Sequence, residues 1–185
     1  MMSAAAAADR VGLIDDFSHE TGVSRLGTQW RVVTDRVMGG VSEAQMSRRD
    51  VDGRSALCLN GAVSLENNGG FVQMTLDLSP NGLLDASAFD GIRLVVRGDG
   101  SDYNVHLKTA ATNLPWQSYR AQFPTAPQWR ESRLPFSAFQ PHRLVPALDI
   151  ARLKRLGIVA IGRAMPTNLC IAELGLYRDS DNGSD

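Results

Sequence analysis

Leu65-Glu-Asn-Asn-Gly-Gly-Phe71-Val-Gln-Met-Thr-Leu-Asp-Leu78 joins a turn directly to a strand. Val72, Met74, Leu76 and Leu78 fall on one face and Gln73, Thr75 and Asp77 on the other, the period of two that marks a half-buried β-strand. Ahead of it, Glu66, Asn67 and Asn68 run into Gly69-Gly70, where no Cβ restricts the backbone. The same grammar stands upstream in Trp30-Arg-Val-Val-Thr-Asp-Arg-Val-Met-Gly-Gly-Val-Ser42, with Asp35 and Arg36 leading into Gly39-Gly40. Each segment reads as a strand, a tight turn and another strand.

Alternation recurs along the chain. Ile92, Leu94 and Val96 alternate with Arg93 and Arg97, and Tyr103, Val105 and Leu107 with Asn104, His106 and Lys108. The intervening Gly98-Asp-Gly-Ser-Asp102 predicts a hairpin turned at Gly98 and Gly100. Further strands are expected over 43–48, 55–63, 117–123, 128–134, 157–161 and 168–177, with Pro and Gly between most of them. One short helix is expected from Asp149, a capping residue, to Leu156, ending at Gly157. Many short strands with a turn every ~10 residues predict an all-β antiparallel sandwich or jelly roll with at most one or two short helices. Function in such folds sits on end loops or on one sheet face.

Composition narrows the function classes. The 185 residues suit a single sandwich domain over 11–178, a disordered start over 1–10 and a flexible tail over 179–185. A net charge of -1 with 43% hydrophobic residues excludes gross disorder and gives no basic field for nucleic acid. The Ala-rich start lacks the basic and leucine-like regions of a signal peptide, and no apolar run is long enough to span a membrane. A cytoplasmic protein without membrane insertion is expected. Cys58 and Cys170 lie in apolar runs without Cys-x-x-Cys spacing and read as small buried hydrophobes of a reducing compartment, with a bond between them left open. Arginine outnumbers lysine 17 to two, which suits planar bidentate contacts or reflects codon usage.

Signatures of enzymes are missing. The chain has no Gly-x-Ser-x-Gly elbow, no Walker loop and no strand-linked Gly-x-Gly-x-x-Gly. His19, His106 and His142 are isolated and show no metal-ligand spacing, so neither metal nor cofactor is expected. Asp35, Glu66 and Asp99 could serve glycosidase chemistry, but turn carboxylates ordinarily bond nearby backbone N–H groups. Trp116, Tyr119 and Trp129, near Arg97, Tyr103 and Arg120 in the expected strand order, suit sugar stacking or a protein hot spot, or else fill the core.

Five motifs in order resemble the complex I intermediate-associated protein 30 family: Trp30…Asp35-Arg-Val-Met-Gly-Gly-Val-Ser42, Ser64-Leu-Glu-Asn-Asn-Gly-Gly-Phe71, Val96-Arg-Gly-Asp-Gly-Ser-Asp-Tyr103, Tyr119-Arg-Ala-Gln-Phe123, and Trp129…Leu134-Pro-Phe-Ser-Ala-Phe139. The resemblance runs from about Ile14 to Tyr177 and implies a galactose-binding-like β-sandwich that acts as an assembly factor or chaperone on protein partners, without catalysis. Carbohydrate-binding modules share that fold, so a glycan is the alternative ligand. Candidate binding residues are Trp30, Asp35, Arg36, Met38, Glu66, Asn67, Asn68, Arg97, Asp99, Tyr103, Trp116 and Tyr119. Gly39, Gly40, Gly69, Gly70, Gly98 and Gly100 are structural turn positions, the first four braced by Asp35 or Asn67. A glycan platform would use Trp116, Trp129, Tyr103 and Arg97. The stretch Gly162-Arg-Ala-Met-Pro-Thr-Asn-Leu169 departs from the Gly-Pro-Phe approach to the last strand that the family tends to have.

Overall fold

A computed structural model describes residues 11–179. The expected disordered start over 1–10 and the tail after Asp179 lie outside them. The strands are β1 (Leu13–Asp15), β2 (Arg31–Thr34), β3 (Glu43–Val51), β4 (Arg54–Val63), β5 (Phe71–Asp77), β6 (Gly91–Gly98), β7 (Asp102–Thr109), β8 (Ser118–Pro124), β9 (Arg130–Pro135), β10 (Gln140–His142), β11 (Leu153–Ile161) and β12 (Met165–Tyr177). They form two antiparallel sheets, β3-β4-β12-β6-β9 with β1 added against β12, and β10-β8-β7-β11-β5-β2. The all-β sandwich expected from the alternation is the observed architecture.

The alternation places the core. Val72, Met74 and Leu76 of β5, Val105 and Leu107 of β7 and Ile158 of β11 are fully buried against Leu59 of β4, Ile92, Leu94 and Val96 of β6, and Leu169, Ile171 and Leu174 of β12. Burying a side chain of this size contributes about 1.5–3 kcal/mol, and the central strands β5, β6, β7, β11 and β12 each supply several of them. Trp30 lies in the same core, its ring tilted against Phe17 and its Nε1 donating to the buried Asp15 carboxylate at 2.9 Å.

Two local expectations are corrected. The segment 98–102 is not a hairpin: β6 pairs with β12 and β9, and β7 with β11 and β8, so the turn carries the chain from one sheet to the other. The two Gly-Gly turns make the same kind of crossing, from β2 to β3 and from β4 to β5. Period-two alternation reports which face of a strand is buried but not which strand lies beside it. The expected helix shrinks to a 3-10 turn over Ile150–Arg152, capped by Asp149, and Leu153 to Leu156 already belong to β11. Sheet pairing on both sides outweighed a helical pattern only two turns long.

Cys58 and Cys170 are disulfide-bonded, which corrects their reading as free hydrophobes. They are partners in the β4–β12 register and lie on the outer face of the first sheet, packed with Ala56, Val51 and Trp129. Among the described residues, no helix is long and apolar enough to cross a membrane.

Candidate functional site

The two Gly-Gly turns meet at one end of the sandwich because both cross between the sheets there. Asp35, fully buried, joins them: one carboxylate oxygen accepts the Ser42 amide at 3.0 Å, and the other accepts the Ser42 hydroxyl and the amides of Gly70 at 2.6 Å and Phe71 at 3.3 Å. Ser42 passes the link on, its hydroxyl oxygen accepting from the Ser64 amide at 2.9 Å. Burial pushes the Asp35 carboxyl up, but the donors from Ser42, Gly70 and Phe71 outweigh it and hold the group below the ordinary carboxylate range. The glycines are needed for space. A Cβ on Gly40 would stand 2.4 Å from the Asp35 carboxyl, and one on Gly69 2.5 Å from it.

The brace therefore belongs to Asp35 and not to Asn67. Asn67 and Asn68 are exposed and left-handed, with φ of 55° and 58°, which Asn tolerates better than most residues. Asp35 is also removed from any acid or base role, since it is inaccessible and its oxygens are already engaged. What the brace presents to solvent is apolar: Val37 is 73% exposed, Met38 63% and Leu65 51%. Arg36 stands beside them, paired with Glu43 at 2.9 Å, and Glu66 is exposed on the second turn.

The expected aromatic and arginine platform is not assembled. Tyr103 and Tyr119 are core residues. The Tyr103 hydroxyl donates to Asp99 at 3.0 Å and accepts the Asn168 amide at 3.0 Å, tying the β6–β7 crossing to β12. Asp99 also accepts from Ser101 within the turn, while Gly98 packs on Thr125 and Gly100 bends the chain. The Tyr119 hydroxyl donates to the Pro146 carbonyl. Arg97 lies over Trp129 at 5.8 Å on the outer face of the first sheet and pairs with Asp52. Trp116, 54% exposed, is on the opposite side, beside the second sheet. Alternate residues of β7 and β8 point into the core, so Tyr103 and Tyr119 could not share a surface with Arg97 or Trp116.

The second sheet's outer face holds a cleft of about 820 Å³ with Trp116 at its rim. Its floor is built by register. Arg120 of β8, His106 of β7, Gly157 of β11, Thr75 of β5 and Arg31 of β2 are successive cross-strand partners. His142, Lys108, Arg143 and Arg155 line the same cleft. Of these only Arg120 is grouped with the aromatics in the sequence; His106 and His142 read as isolated histidines, and His106 and Lys108 occupy the polar face of an alternating strand. Their charges add only once the strand order brings β10, β8, β7 and β11 side by side.

His106 is buried, and its Nε2 has no hydrogen-bond partner. Burial first, then the positive fields of Arg120, His142 and Lys108, press its pKa down to about 3 from 6.5. On this cleft side it faces Arg120 and Ser118 from β8, His142 from β10 and Arg155 from β11. The unfolded chain protonates first, so this contribution to stability is complete above about pH 6.5 and is lost toward pH 3, by up to ~1.4 kcal/mol per pH unit. A urea midpoint that falls between about pH 6.5 and 4.5 and becomes flatter in His106→Gln is the expected result. An unchanged slope in the variant would assign the acid sensitivity to other groups.

A family model described as complex I intermediate-associated protein 30 matches residues 16–171. No curated protein sequence gives a significant match. Among solved structures, the family 11 carbohydrate-binding module of the cellulosomal cellulase Lic26A-Cel5E of Clostridium thermocellum is similar, with a TM-score of 0.70 at 12% identity over 90% of this chain and 93% of that one. The family 11 module from the same organism in complex with a β-1,3-1,4-mixed-linked tetrasaccharide gives 0.69 at 14% identity, covering 90% and 95%. A family 30 carbohydrate-binding module of the C. thermocellum cellulase Cel9D-Cel44B gives 0.57 at 12% identity, covering 76% and 91%. At these identities the likeness is one of fold.

Proposed function

Because the chain belongs to the complex I intermediate-associated protein 30 family, we propose that it is a non-catalytic interaction module that assists assembly of a multi-subunit, respiratory complex I-like enzyme. It binds its protein partner with the Asp35-braced end. The observation that carries this assignment is the exposure of Val37, Met38 and Leu65 on two turns that a buried carboxylate holds rigid. Exposed apolar side chains on a fixed frame lose little entropy on docking and gain from desolvation. Arg36, Glu66, Asn67 and Asn68 supply a polar rim.

The test is a crosslinked pull-down from the native host, run beside the double variant Val37→Asp and Met38→Asp, whose positions are exposed enough to leave the fold intact. Subunits of one respiratory complex should be enriched by the parent protein and lost from the variant. Equal recovery by both proteins, or recovery of no such subunit, would refute the docking surface.

Carbohydrate binding is the second reading, favoured by Trp116 at the rim of the second-sheet cleft and by the carbohydrate-binding modules that share the fold. A mixed-linked tetrasaccharide that perturbs Trp116 fluorescence would support it. The cytoplasmic setting expected from the sequence stands against a disulfide of the kind oxidising compartments favour, and thiol trapping in the intact host decides between them.

A further inference from the structure

We propose that the cleft on the outer face of the second sheet binds a small anionic ligand that carries phosphate or carboxylate groups and rests a ring against Trp116. The charge balance of the cleft leads to this. Arg31, Lys108, Arg120, Arg143 and Arg155 line it together with His106 and His142, and no carboxylate is among the lining residues. Asp77, just beyond, is shared between Arg155 at 2.6 Å and Arg31 at 3.3 Å. Among the described residues, Lys108, Arg120 and Arg143 have no carboxylate partner. Lys108 donates instead to the Pro115 carbonyl at 2.7 Å, and Arg120 to the Ser118 hydroxyl at 2.9 Å.

This arrangement is costly to the free protein. Lys108 and Arg155 are direct cross-strand partners, and like charges so placed repel. His106 lies opposite Arg120 and keeps a buried nitrogen unpaired, where burial without a partner is unfavourable. An oxyanion relieves both defects at once, accepting from the guanidinium and ammonium groups in charge-assisted bonds and from the His106 Nε2–H in the tautomer protonated there. A neutral sugar would leave the repulsion in place. The volume of about 820 Å³ falls in the range of small-molecule sites. Gly157, central in the floor row, keeps that floor low: a Cβ there would meet the end of the flexible Gln73 side chain at 2.7 Å and Val159 at 3.4 Å.

Titration calorimetry at low salt tests the site with pyrophosphate, glucose 6-phosphate, glucuronate and glucose. The anionic probes should bind and glucose should not, and preference between glucose 6-phosphate and glucuronate separates phosphate from carboxylate. Arg120→Ala and Lys108→Ala should each weaken the anions about ten-fold or more, with binding screened by added salt. Trp116→Ala should weaken glucose 6-phosphate but not pyrophosphate, while Arg97→Ala, on the other sheet, should change nothing. Gly157→Leu, which fills the floor without touching a charge, should abolish binding with the near-UV spectrum of the folded protein retained. Equal binding of glucose, absence of binding by every anionic probe, or indifference to Arg120→Ala would overturn the proposal. Val37 and Met38 also line the near end of this cleft, so docking at the Asp35-braced end is tested separately by Leu65→Asp in the pull-down, at an exposed residue outside the cleft.

Discussion

Asp35→Ala lowers the free energy of unfolding by about 3–5 kcal/mol, because the buried donors of Ser42 and the half-buried amides of Gly70 and Phe71 lose their acceptor at about 1–3 kcal/mol each and not all can relax. The carboxylate joins the β2–β3 crossing to the β4–β5 crossing, one oxygen accepting from the Ser42 amide and the other from the Ser42 hydroxyl and the Gly70 and Phe71 amides. Asp35→Asn should recover part of the loss, since its amide offers one acceptor oxygen where two are used. Gly40→Ala and Gly69→Ala should approach the loss of Asp35→Ala by the opposite route, driving a methyl group into the carboxylate. Urea denaturation of the four variants measures this, and an Asp35→Ala protein within ~0.5 kcal/mol of the parent would show that the brace contributes nothing. The sign of the pH effect follows from the depressed carboxyl: stability is present above the ordinary Asp range and is lost as pH falls through the lower folded value. The docking role of Val37 and Met38 would fail with the brace, since they are carried by the turn that Asp35 begins.

Breaking the Cys58–Cys170 bond should cost about 4–5 kcal/mol, the loop-closure entropy that a cross-link over a separation of 112 residues removes from the unfolded chain. Cys58→Ser with Cys170→Ser should give the same decrease as reductant does in the parent protein, and the double variant should be indifferent to reductant. The bond lies beneath Trp129 on the outer face of the first sheet, remote from the cleft of the second sheet, so anion binding should survive its loss at temperatures where the protein remains folded. Two free thiols titrated in the denatured, unreduced protein would refute the bond.

The physical limit of sequence pattern shows in particular residues. Val72, Met74 and Leu76 announced a buried face, and they are buried; the polar punctuation at Gly39-Gly40 and Gly69-Gly70 announced turns, and turns are there. A tight pattern within one strand reports its own two faces because side chains alternate every residue. Strand adjacency is a long-range property, and it changed the meaning of nearly every functional candidate. Tyr103 and Tyr119 carry polar hydroxyls that are satisfied within the fold, and Trp30 spends its indole N–H on Asp15. Arg97 and Trp116 went to opposite sheets. His106, Lys108 and Arg155 gained a shared cleft because β11 inserts between β7 and β5.

The amino-acid sequence by itself determined an all-β sandwich, its family and the space for a brace at two paired glycines, since these rest on local alternation, local motifs and the missing Cβ. Only the tertiary structure decided that Asp35 is the brace, that both glycine turns are crossings between sheets, that the cysteines are bonded and that unpaired cations gather over one sheet. Each of those depends on which strands become neighbours, and that choice is made by the packing of the whole core.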